Sequence, residues 1–146
     1  MILKQFGDLT LSELYEILRL RVEVFVVEQD CCYQDLDGKD YDSYHLFIKD
    51  GENIVGALRI LKENVAYAEM AIGRLIVDER YRGDGLSRKM MKKAMDFILN
   101  DLNRNAIRLS GQAYLCDFYT SLGFKRVSDS YLEDGIKHYE FLYERD

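Results

Sequence analysis

Apolar residues in this chain alternate between two spacings, and each change of spacing marks an element. Ile2 to Phe6 is a short apolar run that predicts a first strand. Thr10-Leu11-Ser12-Glu13 has the spacing of a capping box: the Thr10 hydroxyl can accept from the Glu13 N–H while the Glu13 carboxylate reaches back. Leu14, Ile17, Leu18, Val22 and Phe25 then share one helical face, which predicts a helix running to about Val26. Tyr44 to Lys49 alternates as a strand, Asp50-Gly51 marks a hairpin turn, and Asn53 to Leu61 returns. Leu75-Ile76-Val77 predicts a further strand. A charged turn, Asp78 to Gly85, separates it from Leu86, Met90, Ala94 and Phe97, a helical stripe widened by Met91, Met95 and Ile98. Ile107 to Ser110 is another short strand, followed by a compact helix, Tyr114 to Leu122, with Gly123 as its C′ residue. Lys125 to Leu132 and Ile136 to Tyr143 read as a closing hairpin around Glu133-Asp134-Gly135.

Strands interleaved with helices over 146 residues predict one α/β domain, residues 1–146, with no repeat or linker-like segment dividing it. No apolar span reaches membrane length and no signal-peptide pattern is visible, so no membrane partner is expected. The three cysteines, with Cys31 and Cys32 adjacent and Cys116 apart, make no disulfide framework, which favours a cytoplasmic, reducing setting. No second cysteine pair completes a zinc site. Asp35-Leu36-Asp37-Gly38 fails the calcium-loop register, because Tyr33 and Tyr44 stand where the end ligands belong. No metal is expected.

Charge sharpens the picture at one place. The chain carries a net −6, yet Arg80, Arg82, Arg88, Lys89, Lys92 and Lys93 crowd the turn and the helix after it. A basic cluster on an acidic chain points to a local anion site, not to nucleic acid. Strand, glycine-containing turn and helix N-terminus present free N–H groups and a positive dipole end. Gly83 and Gly85 allow close approach to the main chain. The turn lacks the Gly-Lys-Ser/Thr ending of a nucleoside-triphosphatase loop and the full G-x-G-x-x-G of a dinucleotide fold. The reverse charge collects at Glu28, Asp30, Asp35, Asp37, Asp40 and Asp42, a segment that reads as a solvated acidic loop or as a rim attracting a cationic amine. His45, a histidine with no visible partner, reads as structural.

Arg80-Tyr81-Arg82-Gly83-Asp84-Gly85 resembles the acetyl-CoA loop of the GNAT N-acetyltransferases, Gln/Arg-x-x-Gly-x-Gly/Ala, with Ser87 where a further glycine often stands. Phe118-Tyr119-Thr120-Ser121-Leu122-Gly123-Phe124 resembles the Phe-Tyr-x-x-x-Gly-Phe element that follows it in that family. Arg21 to Gln29, Cys32 to Asp37, and Glu133-Asp134-Gly135-Ile136-Lys137-His138 resemble the ElaA-type branch, with Lys137 where proline is usual. Acyl-homoserine-lactone synthases share a looser version of the first pattern but carry tryptophans there, and this chain has none.

The resemblance implies a GNAT fold: a central mixed sheet flanked by helices, with two central strands splayed around CoA. It implies transfer of an acetyl group from acetyl-CoA to the primary amine of a small molecule or peptide. CoA would be held by Leu75, Ile76, Val77, Arg80, Arg82, Gly83, Asp84, Gly85, Leu86, Ser87, Gln112 and Tyr119. Glu69 would receive the ammonium proton and Tyr119 would protonate the thiolate. A backbone N–H near Leu75 would polarise the carbonyl. Glu28, Asp37, Glu133, Asp134 and His138 are the acceptor-site candidates. Two alternatives stay open: a CoA-binding regulator without catalysis and a lactone-synthase-like acyltransferase. A homodimer is left open as the assembly.

Overall fold

A computed structural model describes residues Met1–Asp146. Its strands are β1 (Ile2–Gln5), β2 (Ser43–Asp50), β3 (Asn53–Leu61), β4 (Met70–Val77), β5 (Ala106–Gln112), β6 (Lys125–Arg126), β7 (Tyr131–Glu133) and β8 (Ile136–Glu144). They make one mixed sheet of eight strands in the order β1-β2-β3-β4-β5-β8-β6, with β7 also paired to β8. Only β4 and β5 are parallel neighbours. The helices are α1 (Leu11–Arg21), α2 (Leu86–Asp96) and α3 (Cys116–Ser121).

Helices cover both faces of the sheet, so its inner strands are apolar at consecutive positions. In β3 every residue from Ile54 to Leu61 is buried. One face packs Ile17, Leu20 and Val24 against Phe47, Ala57 and Ile76. The alternate residues Leu46, Leu58 and Val77 meet Met90, Met91, Ala94 and Met95 of α2 on the other. The methionine stripe of α2 is therefore core.

The capping box of α1 forms as its spacing predicts: Glu13 N–H donates to Thr10 Oγ1 at 3.1 Å and Thr10 N–H to Glu13 Oε1 at 2.9 Å. Burial raises the Glu13 pKa, but the Thr10 N–H and the Lys4 and Lys49 ammoniums outweigh it and hold it at about 2. After Arg21 the helix widens into a π-helix, Val22–Glu28. The expected strand Lys125 to Leu132 is two strands instead. Ser128 Oγ takes the Glu140 N–H at 2.9 Å, so a side chain interrupts the backbone ladder between β6 and β7.

The acidic segment after α1 turns inward at Asp35 and Asp40, whereas Glu28, Asp30, Asp37 and Asp42 stay exposed. Asp35 accepts from Arg21 Nε at 2.8 Å and from Arg74 Nε at 2.8 Å, and Asp40 accepts from Arg21 Nη1 at 2.7 Å and Arg59 Nη1 at 3.0 Å. Arg59 also forks onto Asp37 at 2.8 and 2.6 Å. Arg21 is 1% exposed and Asp35 5%, so these charges have exchanged water for one another. His45 is structural here: buried, with Nε2 3.1 Å from the Asp40 carbonyl and its pKa lowered by that burial.

Removing Asp35 leaves the buried Arg21 with Asp40 alone and strips Arg74 of its main carboxylate partner. Asp35→Ala should cost about 3–5 kcal/mol of stability, read as a lower urea midpoint. A loss below about 1 kcal/mol would show that water or a shifted side chain replaces the carboxylate.

Candidate active site

The parallel pair β4–β5 is registered only at Met70–Ile107 and Ala71–Arg108. Beyond that point β5 stays bonded to β8 as far as Gln112–His138. On the other side, Arg59 pairs with Gly73 and Ala57 with Ile76 of β4. One residue of β3, Leu58, therefore faces two of β4, Arg74 and Leu75, which is a bulge. Arg74 sits at φ +52°, a left-handed conformation unusual for a side chain of its size. Its guanidinium is held by the Asp35 carboxylate and carbonyl and lies 6.0 Å from the Phe25 ring and 5.6 Å from that of Tyr33. The bulge turns backbone groups of β4 into the gap that β5 has vacated.

Two cavities of about 440 and 430 Å³ open into this gap and share Phe25, Gln29, Gly73, Arg74, Gln112 and His138 among their walls. The larger extends toward Tyr33, Lys39 and Tyr67. The other runs along Leu75, Ile76 and Val77 to Ser87, Phe118 and Tyr119. A third, of about 290 Å³, continues from Val77, Ser87 and Phe118 over Gly83 and Gly85. The passage thus leads from the glycine turn, through the sheet, to the side covered by the chain after α1.

In the turn, Asp78 accepts the Arg80 N–H at 3.0 Å and so closes a short 3₁₀ turn, Glu79–Tyr81. Gly83 and Gly85 take φ +96° and +75°. A Cβ at either would meet nothing within 4 Å, so glycine is required by backbone conformation and the space beyond is open. Lys89 N–H donates to Gly85 O at 3.1 Å, which leaves the N–H groups of Leu86, Ser87 and Arg88 ahead of the first helical bond. This is an anion cradle of main-chain donors at the positive end of α2.

Tyr119 is 7% exposed and packs at 5.0 Å from the Phe141 ring and 5.3 Å from that of Phe118. The residue lines the second cavity, and burial pushes its pKa up to about 12. At neutral pH it holds its proton and can donate it.

The comparisons with known proteins agree with this geometry. Residues 13–144 match the Acetyltransferase (GNAT) domain family. The chain belongs to the GNAT acetyltransferase family. It is 40% identical over 134 residues to protein ElaA of Escherichia coli, spanning 90% of this chain and 88% of that one. The crystal structure of Escherichia coli ElaA superposes with a TM-score of 0.91, at 36% identity, over 98% of this chain and 97% of that one. An acyl-CoA N-acyltransferase from Pseudomonas aeruginosa gives 0.93 at 38% identity, over 97% of each chain. BjaI, a CoA-dependent acyl-homoserine lactone synthase, shares the fold at a TM-score of 0.74 with 17% identity, over 93% of this chain and 78% of that one.

As a GNAT transferase with splayed central strands, the chain carries the fold that its sequence resembled. The CoA candidates Leu75, Ile76, Val77, Arg82, Ser87, Gln112 and Tyr119 lie together on the second cavity, and Gly83, Gly85 and Leu86 on the third. Asp84 lies on neither, and Arg80 points outward onto Asp78. Three acidic candidates need correction. Glu69 lies outside the cavity walls, and both its oxygens are taken by Arg108 at 3.0 and 3.1 Å; those bonds lower its pKa, so it is a poor proton acceptor. Glu28 lines the second cavity with its carboxylate bound by Arg82 at 2.6 and 2.9 Å. Asp37 lines the first; burial raises its pKa, but the Arg59 hydrogen bonds outweigh that and hold it well down. Neither presents a free carboxylate to an amine. The charge on that wall is balanced, Lys39, Arg59 and Arg74 against Asp37, Glu133 and Asp134.

Arg74 and Gly111 escaped the sequence reading. An arginine in a strand that must take positive φ has no local signature. Gly111 stood before a helix like any other loop glycine. In the structure a Cβ there would lie 3.0 Å from Cδ2 and 3.1 Å from Cζ of Tyr119, inside the ring's own space. Gly111→Ala should displace the ring and cost about 1–3 kcal/mol, seen as a lower melting temperature. A melting temperature equal to the parent's would mean that Tyr119 is not held where it stands.

Proposed function

We propose that residues 1–146 act as one domain that transfers an acetyl group from acetyl-CoA to a primary amine of a small molecule or peptide. The observation that carries this reading is the single passage from the glycine turn to Tyr119 and on through the sheet. A pyrophosphate on the N–H groups around Gly83–Ser87 would send its pantetheine arm along β4 into the gap. The thioester would then meet backbone donors at the Arg74–Leu75 bulge, where developing oxyanion charge is stabilised by N–H groups fixed in advance. The amine nitrogen attacks the carbonyl carbon, the C–N bond forms, and the C–S bond breaks with its electron pair on sulfur. Tyr119 supplies the proton that makes the thiol. The nitrogen's surplus proton restores the tyrosine.

Gly85→Asp and Gly83→Val should abolish CoA binding in a folded protein. Each N–H to a charged oxygen contributes about 1.5–3 kcal/mol, so losing two raises the dissociation constant at least a hundredfold. Calorimetry with unchanged CoA affinity in both variants overturns the cradle.

Tyr119→Phe keeps the ring and removes the proton. Turnover of acetyl-CoA with an accepted amine should drop by about 10²–10⁴, with CoA affinity unchanged. Turnover within a few-fold of the parent would make Tyr119 a packing residue. Acetyl-CoA binding without turnover on a panel of amines, peptides and polyamines would favour the non-catalytic regulator.

A further inference from the structure

The reaction needs an acceptor for the ammonium proton, and Glu69 is off the cavity walls with both oxygens held by Arg108. His138 can. It is 7% exposed and lies on the walls of both large cavities, opposite Gln112 at the end of the β5–β8 ladder. Its Nδ1 is 2.7 Å from the Ile136 carbonyl oxygen. A carbonyl only accepts, so Nδ1 carries hydrogen and the neutral ring has its lone pair on Nε2. That lone pair faces Glu133 Oε2 at 3.2 Å. Two acceptors at hydrogen-bond distance have no bond between them until a proton arrives. The ring is fixed from one side by Tyr131, which stacks at 6.1 Å with planes 25° apart and whose hydroxyl bonds Ser110.

We propose that the Glu133–His138 pair is the proton acceptor of the transfer, a role that rests on the amine-acetylation reading above. The ammonium gives one proton to His138 Nε2, and the freed nitrogen pair forms the C–N bond. The imidazolium so formed is stabilised by the Glu133 carboxylate, whose side chain is 52% exposed and opens a way for the proton to leave to solvent. Tyr131 from β7 stacks on the ring. The other charged or titratable groups on the cavity wall with the ring are Asp134 from the turn, Arg74 from β4, Arg59 from β3, Tyr67 before β4, and Cys31, Tyr33, Asp37 and Lys39 from the segment after α1. Glu28, at the end of the π-helix, is already paired with Arg82.

The chain has two histidines, so nitrogen-15 spectra of the imidazoles resolve His138 from His45, with His138→Gln giving the assignment. The neutral His138 should be protonated at Nδ1 and should take its second proton at Nε2. A ring protonated at Nε2 when neutral overturns the assignment. The activity arm uses acetyl-CoA with spermidine, lysine methyl ester and a lysine peptide. His138→Gln should lower kcat/KM by about 10²–10⁴ at pH 7 and leave acetyl-CoA affinity unchanged. Its rate should climb toward the parent's as rising pH supplies free amine. Parent activity that survives in His138→Gln with the parent's pH profile overturns the acceptor role alone. Parent protein that binds acetyl-CoA but acetylates none of these amines overturns the transfer reading, and the acceptor role with it.

Discussion

The parallel contact between β4 and β5 stops after two registered pairs, and the site depends on that early stop. Had the ladder continued, Ile72–Val77 would face β5 across hydrogen bonds and there would be no room between them. Two constraints hold the strands apart. β5 is committed to β8 along its full length, and the bulge at Arg74 bends β4 away from the plane it began in. Open backbone in a sheet is costly unless water or a ligand can reach it. Here the gap is lined by Gln29, Gln112 and Ser110, polar groups that can bond water or a ligand without filling it.

The parts of this arrangement set by local chemistry were legible in the sequence. The capping box at Thr10–Glu13, the Gly83 and Gly85 turn, the α2 stripe and the Tyr119 element each express their rule within a few residues. The acidic segment was misread because its meaning is long-range. Asp35, Asp37 and Asp40 look like solvated charge until Arg21, Arg59 and Arg74 converge from α1, β3 and β4. The pairing of Glu69 is long-range in the same way, since Arg108 comes from the neighbouring strand. His138 was placed near the acceptor by resemblance. Its proton-accepting geometry comes from the Ile136 carbonyl and the turn that brings Glu133 back, and no spacing rule encodes either.

The distribution of charge follows from this pairing. The basic residues of α2 lie beside the glycine turn, whereas Asp35, Asp37 and Asp40 of the acidic segment are paired with internal arginines. Arg82 joins the two regions: it binds Glu28 at the end of the π-helix and the Val77 carbonyl at 3.0 Å, fastening the turn to the segment that covers the passage.

The convergence of three arginines on one short loop also guards the order in which strands align. Side chains in a strand alternate between faces, so a one-residue slip of β3 or β4 would carry Arg59 or Arg74 to the opposite side of the sheet. Asp40, or Asp35, would then keep only Arg21 as countercharge in a place closed to water, and the displaced arginine would lose its carboxylates, at a cost above that of a misfitted methyl group. A purely apolar face could absorb such a slip by repacking. The ionic knot cannot, so it works as a checksum on strand register during folding.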